Sequence, residues 1–337
     1  MNIINRIKGK LIRETFTAAG KIGACNIEDT IVIAGSPRSG TTLLLEALHK
    51  LPDYKAINEP LLTPKIQEKT GFHSRSYINL GQNAPQQRQF LDQVLRGQID
   101  SSARWLFESE TTLGQIREHA VRKKLLVKFC RINRMLPWFE EQFDVRGILF
   151  IVRHPCAVIN SMLRYGQWDK WTGDFVQNNL HNRSNALHID HLPEAAREIF
   201  SPIQKRVSTQ TQALALMWCL DHYFPLIHAK KHPWILVPYE SLTMNNHKEL
   251  TRITDALNLN LNDEILRVLD QPSSSVKGKV KQNSEIQISK WKQQLKNRQI
   301  DDILSIVDTA GLSAIYSDGA EPHYDKLNEL QIPAWKW

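Results

Sequence analysis

The sequence predicts an α/β protein: an open parallel sheet of about five strands with helices on both faces. Five short apolar runs carry the first part of this reading, at 30–35 (TIVIAG), 54–57 (YKAI), 124–129 (KLLVKF), 147–152 (GILFIV) and 234–238 (WILVP). Several are almost continuously apolar, the mark of strands covered on both faces. Helical patterns fill the intervals. LLLEALHKL follows the first run, and residues 86–97 and 112–123 precede the third. Residues 133–142 precede the fourth run, 155–165 follow it, and a long helix at about 203–230 leads to the fifth. Strands alternating with helices imply βαβ units and therefore parallel pairing.

The composition fits a globular chain of this kind. Of 337 residues, 42% are hydrophobic and 23% charged, enough for a sizeable core. Fifteen Gly and fifteen Pro exclude collagen-like and low-complexity readings. No apolar run approaches the ~18–20 residues that span a bilayer. Lys and Arg exceed Asp and Glu by 43 to 35, a net +8 that suits an anionic partner without saying which. Cys25, Cys130, Cys156 and Cys219 lie far apart, with no C-x-x-C pair and no zinc spacing. The first residues, MNIINRIKGKLIRETF, lack an apolar signal core, so a reducing, cytoplasmic setting is the expectation.

Residues 1–29 read as a basic helical arm. Ile3, Ile7 and Leu11 fall near one helical face, with Arg6, Lys8, Lys10 and Arg13 around it. Two readings stand: a helix docked at the domain edge, or a peripheral membrane contact through residues 1–22. Residues 30–320 form a single α/β domain and 321–337 a tail. Within the domain, 165–200 is polar, rich in His, Asn and Trp and poorly periodic, as a substrate lid or insertion would be.

The strongest local signal is Gly35-Ser-Pro-Arg-Ser-Gly-Thr-Thr42, between the first strand and the LLLEALHKL helix. Its G-x-x-x-x-G spacing is that of a phosphate-binding loop, so the expected fold is P-loop NTPase-like. Thr41 stands where the lysine of an ATPase or kinase belongs, and Arg38 is the loop's cation. The fourth run is followed by Arg153, where a metal-binding NTPase commonly carries an aspartate. No metal is therefore expected. Ser36, Asn58-Glu59, Lys128, Arg153 and Tyr239 each lie at or just beyond the end of a different predicted strand, the edge where open parallel sheets bind ligands.

The P-R-S-G-T-T loop resembles the 5′-phosphosulfate loop of sulfotransferases that use PAPS (3′-phosphoadenosine 5′-phosphosulfate). Arg153-His-Pro-Cys-Ala-Val-Ile-Asn-Ser161 is similar to the family's 3′-phosphate motif, an arginine followed eight positions later by a serine. The motifs are closest to the carbohydrate and tyrosylprotein branches, and the resemblance spans roughly residues 30–295. It implies that Arg38, Ser39, Gly40, Thr41 and Thr42 hold the 5′-phosphosulfate, and that Arg153 and Ser161 hold the 3′-phosphate. Tyr239, in V-P-Y-E, would border the adenine. Ser289-Lys290-Trp291 resembles a late nucleotide-holding element, and Lys277, Lys279 and Lys281 could add charge nearby. Lys128 matches a lysine that reaches the transferring group.

Glu59, in Asn-Glu-Pro, occupies the place of the proposed carboxylate base of the tyrosylprotein branch, giving a catalytic set of Glu59, Arg38 and Lys128. Pro60 biases Glu59 towards an extended backbone. Phenol and steroid sulfotransferases use a histidine after the third strand. Phe129-Cys-Arg-Ile-Asn133 offers none, so His181, His188 and His191 are the other candidates.

The expected activity is transfer of the sulfuryl group from PAPS to a hydroxyl of a carbohydrate, lipid-linked or small natural-product acceptor, with release of PAP. Trp105, Trp168 and Trp171 are candidates to line the acceptor site. No nucleic-acid partner is expected, and the sequence leaves the oligomeric state open. The alternatives are a kinase-like phosphotransferase and a catalytically silent nucleotide binder.

Overall fold

The computed structural model describes residues 3–62, 66, 68, 70–73, 75–98, 113–182, 186–269, 283–332 and 335–336, and within residues 3–9 and at 13 the backbone only. Trp105, Lys277, Lys279 and Lys281 lie outside the described residues. β1 (Thr30–Gly35), β2 (Tyr54–Asn58), β3 (Lys124–Phe129), β4 (Gly147–Val152) and β5 (Trp234–Pro238) form one parallel sheet in the order β2-β3-β1-β4-β5. β1 is central, with Val32 opposite Val127 of β3 and Ile148 of β4. All five apolar runs are thus strands, and the P-loop NTPase-like fold is the one present.

Strand side chains alternate between faces, so two cores form. Val32, Ala34, Val127, Phe129 and Phe150 join one core, which also takes Trp218 and Leu214 from the helix Gln210–His228. Ile31, Ile33, Leu126, Leu149 and Val237 join the other, against Leu44 and Leu48 of the helix Thr41–Leu48 and Leu250 and Ile253 of Asn246–Ala256. Every residue of β1 and β5 is buried, which explains why those runs lack polar alternation.

The long helix expected at 203–230 is two helices, Glu194–Arg206 and Gln210–His228. The apolar pattern continues across the gap, but the Thr209 hydroxyl accepts from the Gln212 N–H and caps a new start. The 165–200 segment also divides. Leu187, Ile189, Leu192, Ala196 and Phe200 are core residues, whereas in 165–182 Val176 alone is fully buried, which makes 165–182 the more exposed part. No described helix is long and apolar enough to cross a membrane.

Between the helix Gln210–His228 and the chain around β3 lies a buried charge triad. Asp221 Oδ2 is 2.8 Å from Arg75 Nε and its Oδ1 is 3.4 Å from Arg134 Nε. Arg134 also donates to the carbonyls of Ala186 and His188, so it pins the second half of the 165–200 segment. One carboxylate balancing two desolvated guanidiniums cannot be removed cheaply. Asp221→Asn is expected to cost about 3–5 kcal/mol in urea-unfolding stability. A change under about 1 kcal/mol would show the triad to be solvated.

Burial also holds four histidines neutral, pushing His119 and His191 down to about 3 and His154 and His222 to about 4. The unfolded chain takes up these protons near pH ~6.5 while the folded chain refuses them. Stability present above pH ~6.5 is therefore lost as the pH falls towards 4, by up to roughly 1.4 kcal/mol per pH unit for each histidine. Urea unfolding at pH 7, 6 and 5 checks this, and a flat profile over that range would contradict it.

Candidate active site

The chain passes from β1 to β2 and β3 on one side of the sheet and then to β4 and β5 on the other. A crevice opens where those directions part, at the carboxyl end of β1. The glycine-rich loop fills it. Gly35 (φ +154°), Arg38 (φ +69°) and Gly40 (φ +104°) turn the strand sharply into the helix Thr41–Leu48. At Gly40 a Cβ would lie 2.4 Å from the Tyr239 ring, so glycine is required by space as well as by φ. Asn133 Oδ1 accepts from the Gly35 N–H at 3.1 Å, and the Ser39 hydroxyl donates to the Ser36 carbonyl at 2.6 Å. The first-turn N–H groups of the helix have no carbonyl within it to meet, which makes this end an anion seat.

Two clusters flank the loop. On the β4/β5 side, Arg153 Nη1 donates to the Arg38 carbonyl at 2.9 Å, and its guanidinium lies 3.8 Å above the Tyr239 ring. Arg38 Nε donates to Ser161 Oγ at 3.1 Å, with its guanidinium 4.6 Å from the Tyr165 ring. Ser161 stands on the helix Pro155–Tyr165, which Pro155 opens at its first position, as expected. Lys290 is close enough for its pKa to be lowered, first by burial and then by the charge of Arg153. Arg38, Arg153, Ser161, Tyr239 and Lys290 therefore meet around the loop.

The other two residues of the late element do not join them. Ser289 spends its hydroxyl on the Glu285 carbonyl. Trp291 is buried and stacks on the His154 ring at 4.4 Å, so it braces the segment that carries Arg153.

On the β2/β3 side, Lys128 Nζ reaches Asn58 Oδ1 at 3.0 Å, Thr42 Oγ1 at 3.5 Å and Glu59 Oε1 at 3.1 Å. Glu59 Oε2 pairs with Arg131 Nη1 at 3.1 Å. Burial would raise the pKa of Glu59, but Lys128 and Arg131 outweigh it and hold the carboxyl below its usual range. The Lys128 ammonium is opposed by burial and favoured by Cys130 and Glu59, and its pKa ends raised.

The extended backbone expected for Glu59 is not found; its φ is +57°. A hydrogen bond from the Glu59 N–H to the Lys128 carbonyl at 2.8 Å, the Leu62 N–H on its own carbonyl, and the two ion pairs override the bias from Pro60. A non-glycine residue in this region costs roughly 1–3 kcal/mol, and such strain concentrates at functional sites.

Arg131 and Asn133 were missed by sequence reasoning, although both lie just past the end of a predicted strand, the signal used for the other residues. Glu240 was missed as well. It accepts from the His154 N–H at 3.0 Å and the Tyr316 hydroxyl at 2.9 Å, fixing the turn after β4 that aims Arg153.

A cleft of about 530 Å³ has a lining that includes Phe72, Tyr77, Ile78, His181, His188 and His191. His188 and His191 share a hydrogen bond between their Nδ1 atoms at 2.9 Å, and His181 is exposed. Trp168 and Trp171 are half-buried against the core. Among the described residues no group of three His, Cys, Asp or Glu could hold a metal ion.

Solved structures similar to this chain include the sulfotransferase domain of the curacin biosynthetic pathway, at 18% identity over 83% of this chain and 96% of that one, with a TM-score of 0.45. The sulfotransferase domain of the Synechococcus PCC 7002 olefin synthase is likewise 18% identical, over 84% and 94%, with a TM-score of 0.45. Mouse sulfotransferase SULT7A1 complexed with PAP is 15% identical over 88% and 93%, with a TM-score of 0.44. No curated protein matches the sequence significantly. The family model described as "Sulfotransferase family" matches residues 30–263, from the first residue of β1 to beyond β5. That span is more than two thirds of the sequence and contains the loop, Glu59, Lys128, Arg153, Ser161 and Tyr239: the chain belongs to the sulfotransferase family.

Proposed function

We propose that this protein transfers the sulfuryl group of PAPS to a hydroxyl of an acceptor and releases PAP, with no metal. The observation that carries the reading is a pair of anion seats joined by one residue. The helix N-terminus and Lys128 make one seat and Arg153 and Ser161 the other; Arg38, itself part of the loop that opens the helix, reaches Ser161 with its side chain and takes Arg153 on its carbonyl. The residues fit such a ligand. Ser36 Oγ and Arg153 Nε are buried with no hydrogen-bond partner among the described residues, a deficit that phosphate oxygens would relieve.

In this reading Arg153, Ser161 and Lys290 grip the 3′-phosphate with charge-assisted bonds, and Tyr239 borders the adenine. The loop N–H groups, Arg38 and Lys128 hold the 5′-phosphosulfate and stabilise charge as it shifts onto the bridging oxygen. PAPS supplies the sulfuryl group: the acceptor oxygen bonds to sulfur, and the sulfur–oxygen bond to the phosphate breaks. Glu59, kept ionised by Lys128 and Arg131, takes the proton from the acceptor hydroxyl. The acceptor, a carbohydrate, lipid-linked or small natural-product hydroxyl, enters by the cleft lined by Phe72, Tyr77 and His188, with residues 165–182 as its cover. The four described cysteines are free and buried, which accords with a reducing, cytoplasmic setting.

Two variants test the assignment. Arg153→Ala is expected to weaken PAP binding by about 2–4 kcal/mol in a calorimetric titration without magnesium, because a phosphate loses its charged partner. Adenosine 5′-phosphate, which lacks the 3′-phosphate, should bind almost as before. Equal weakening of both ligands would make Arg153 structural, and tighter binding of ATP with magnesium would favour a kinase. Glu59→Gln should retain PAP affinity within a few-fold while turnover with labelled PAPS falls ~10²–10⁴-fold. Retained turnover with weakened PAP binding would make Glu59 a brace for Lys128 and move the base to His188 or His191.

A further inference from the structure

The four most exposed large hydrophobic side chains among the described residues are Leu113 (83%), Ile22 (71%), Leu11 (64%) and Val121 (61%). All four belong to two helices, Ile3–Ile22 and Leu113–Val121. These helices form one unit. The Phe16 ring stacks on His119 at 4.1 Å, a Cβ on Gly23 would lie 2.3 Å from the His119 carbonyl, and Lys123 Nζ donates to the Ile22 carbonyl at 3.0 Å.

The charge is concentrated on the same unit. Residues 3–22 hold five Lys or Arg against one Glu, and residues 113–124 hold four against one. These 32 residues therefore carry +7 of the chain's net +8.

Helix geometry puts the exposed residues in rows. Leu11 and Ile22 are eleven residues apart, three turns, and so share one flank of their helix, off the side that buries Ala19 and Gly20. Leu113, Arg117 and Val121 follow at steps of four on the side away from buried His119. The Ile3, Ile7 and Leu11 row noted in the sequence is accordingly not the docked face at Leu11. Phe16, Ala19 and Gly20 make that contact instead.

We infer that this two-helix unit docks the enzyme on an anionic lipid bilayer, with Leu11, Ile22, Leu113 and Val121 entering the acyl boundary and Lys10, Lys21, Arg117 and Lys123 facing the headgroups. Charge complementarity argues for an anionic partner, and the aliphatic rows select lipid. A nucleic acid would use the cations but gain nothing from four exposed aliphatic side chains, and aromatic platforms are absent from these rows. The position suits the role. The helix Leu113–Val121 ends at the amino end of β3, while the site lies at the carboxyl end, about 20 Å along the strand. Docking there leaves the crevice open on the far side.

Cosedimentation of the full chain with vesicles of phosphatidylcholine, alone or mixed with phosphatidylserine, tests this. Binding should be at least about tenfold stronger to the mixed vesicles and should fall as salt is raised. The double variant Lys10→Ala/Arg117→Ala should weaken it by about 25-fold, at roughly fivefold per charge. Leu11→Ser/Leu113→Ser should also weaken it by about tenfold, while PAP-induced thermal stabilisation stays unchanged in both variants. No binding, equal binding to both vesicle types, or binding indifferent to the leucine pair would overturn the inference. So would a dimer in sedimentation velocity that the leucine variant abolishes, since the face would then belong to a second copy.

Discussion

The structure of the site depends on one short turn, the loop that carries β1 into the helix Thr41–Leu48. It is strained at Arg38, whose φ is +69°, and it survives because three elements hold it from outside. Asn133, just past β3, holds the Gly35 N–H. Arg153, just past β4, holds the Arg38 carbonyl. The Tyr239 ring, just past β5, closes on Gly40. Each of these residues is presented by a strand end, and the parallel register that places the strand ends together is set by two apolar cores. The path from hydrophobic pattern to function is therefore short. Burial aligns the strands, alignment gathers their ends, and the ends hold a loop that could not hold itself.

Electrostatics sorts the gathered residues into unequal halves. On the β4/β5 side, cations meet hydroxyls, carbonyls and aromatic faces. Arg38 lies on Tyr165 and donates to Ser161, and Arg153 lies on Tyr239 and donates to the Arg38 carbonyl. Glu240 lies close by but turns its oxygens to the His154 N–H and the Tyr316 hydroxyl, and burial raises its pKa. A carboxylate spent in this way shapes the turn without cancelling Arg153. On the β2/β3 side a single ionised carboxylate serves two cations, Lys128 and Arg131. The β2/β3 side thus keeps positive charge in excess inside a crevice of low dielectric, where it acts strongly on an anion.

The parts legible in the sequence are those whose chemistry and spacing are local. The five apolar runs, the G-x-x-x-x-G loop and the arginine-to-serine step from Arg153 to Ser161 each fit within a dozen residues, and each is where it was expected. What the sequence hid depends on distance along the chain. Arg131 meets Glu59 across 72 positions, Glu240 meets His154 across 86, and Asp221 meets Arg75 across 146. No periodicity or motif links residues so far apart. Trp291 shows the same limit: its neighbours in sequence suggest a nucleotide contact, whereas its ring is committed to His154 behind Arg153. The backbone of Glu59 fails for another reason. A local bias from Pro60 is weak beside two buried ion pairs and a backbone hydrogen bond to β3.

The same comparison explains why one carboxylate carries so much of the β2/β3 side. Lys128 and Arg131 come from one segment, three residues apart, and bring two charges into a largely buried region. Desolvation would oppose both, since isolated buried cations lose hydration that nothing repays. Glu59 repays it only from its left-handed backbone position, because that is the conformation in which its N–H bonds the Lys128 carbonyl while its two oxygens face separate cations. Strain at Glu59 and charge at Lys128 are therefore a single feature. Relaxing the backbone would separate the ion pairs that bring both cations to one carboxylate beside the loop.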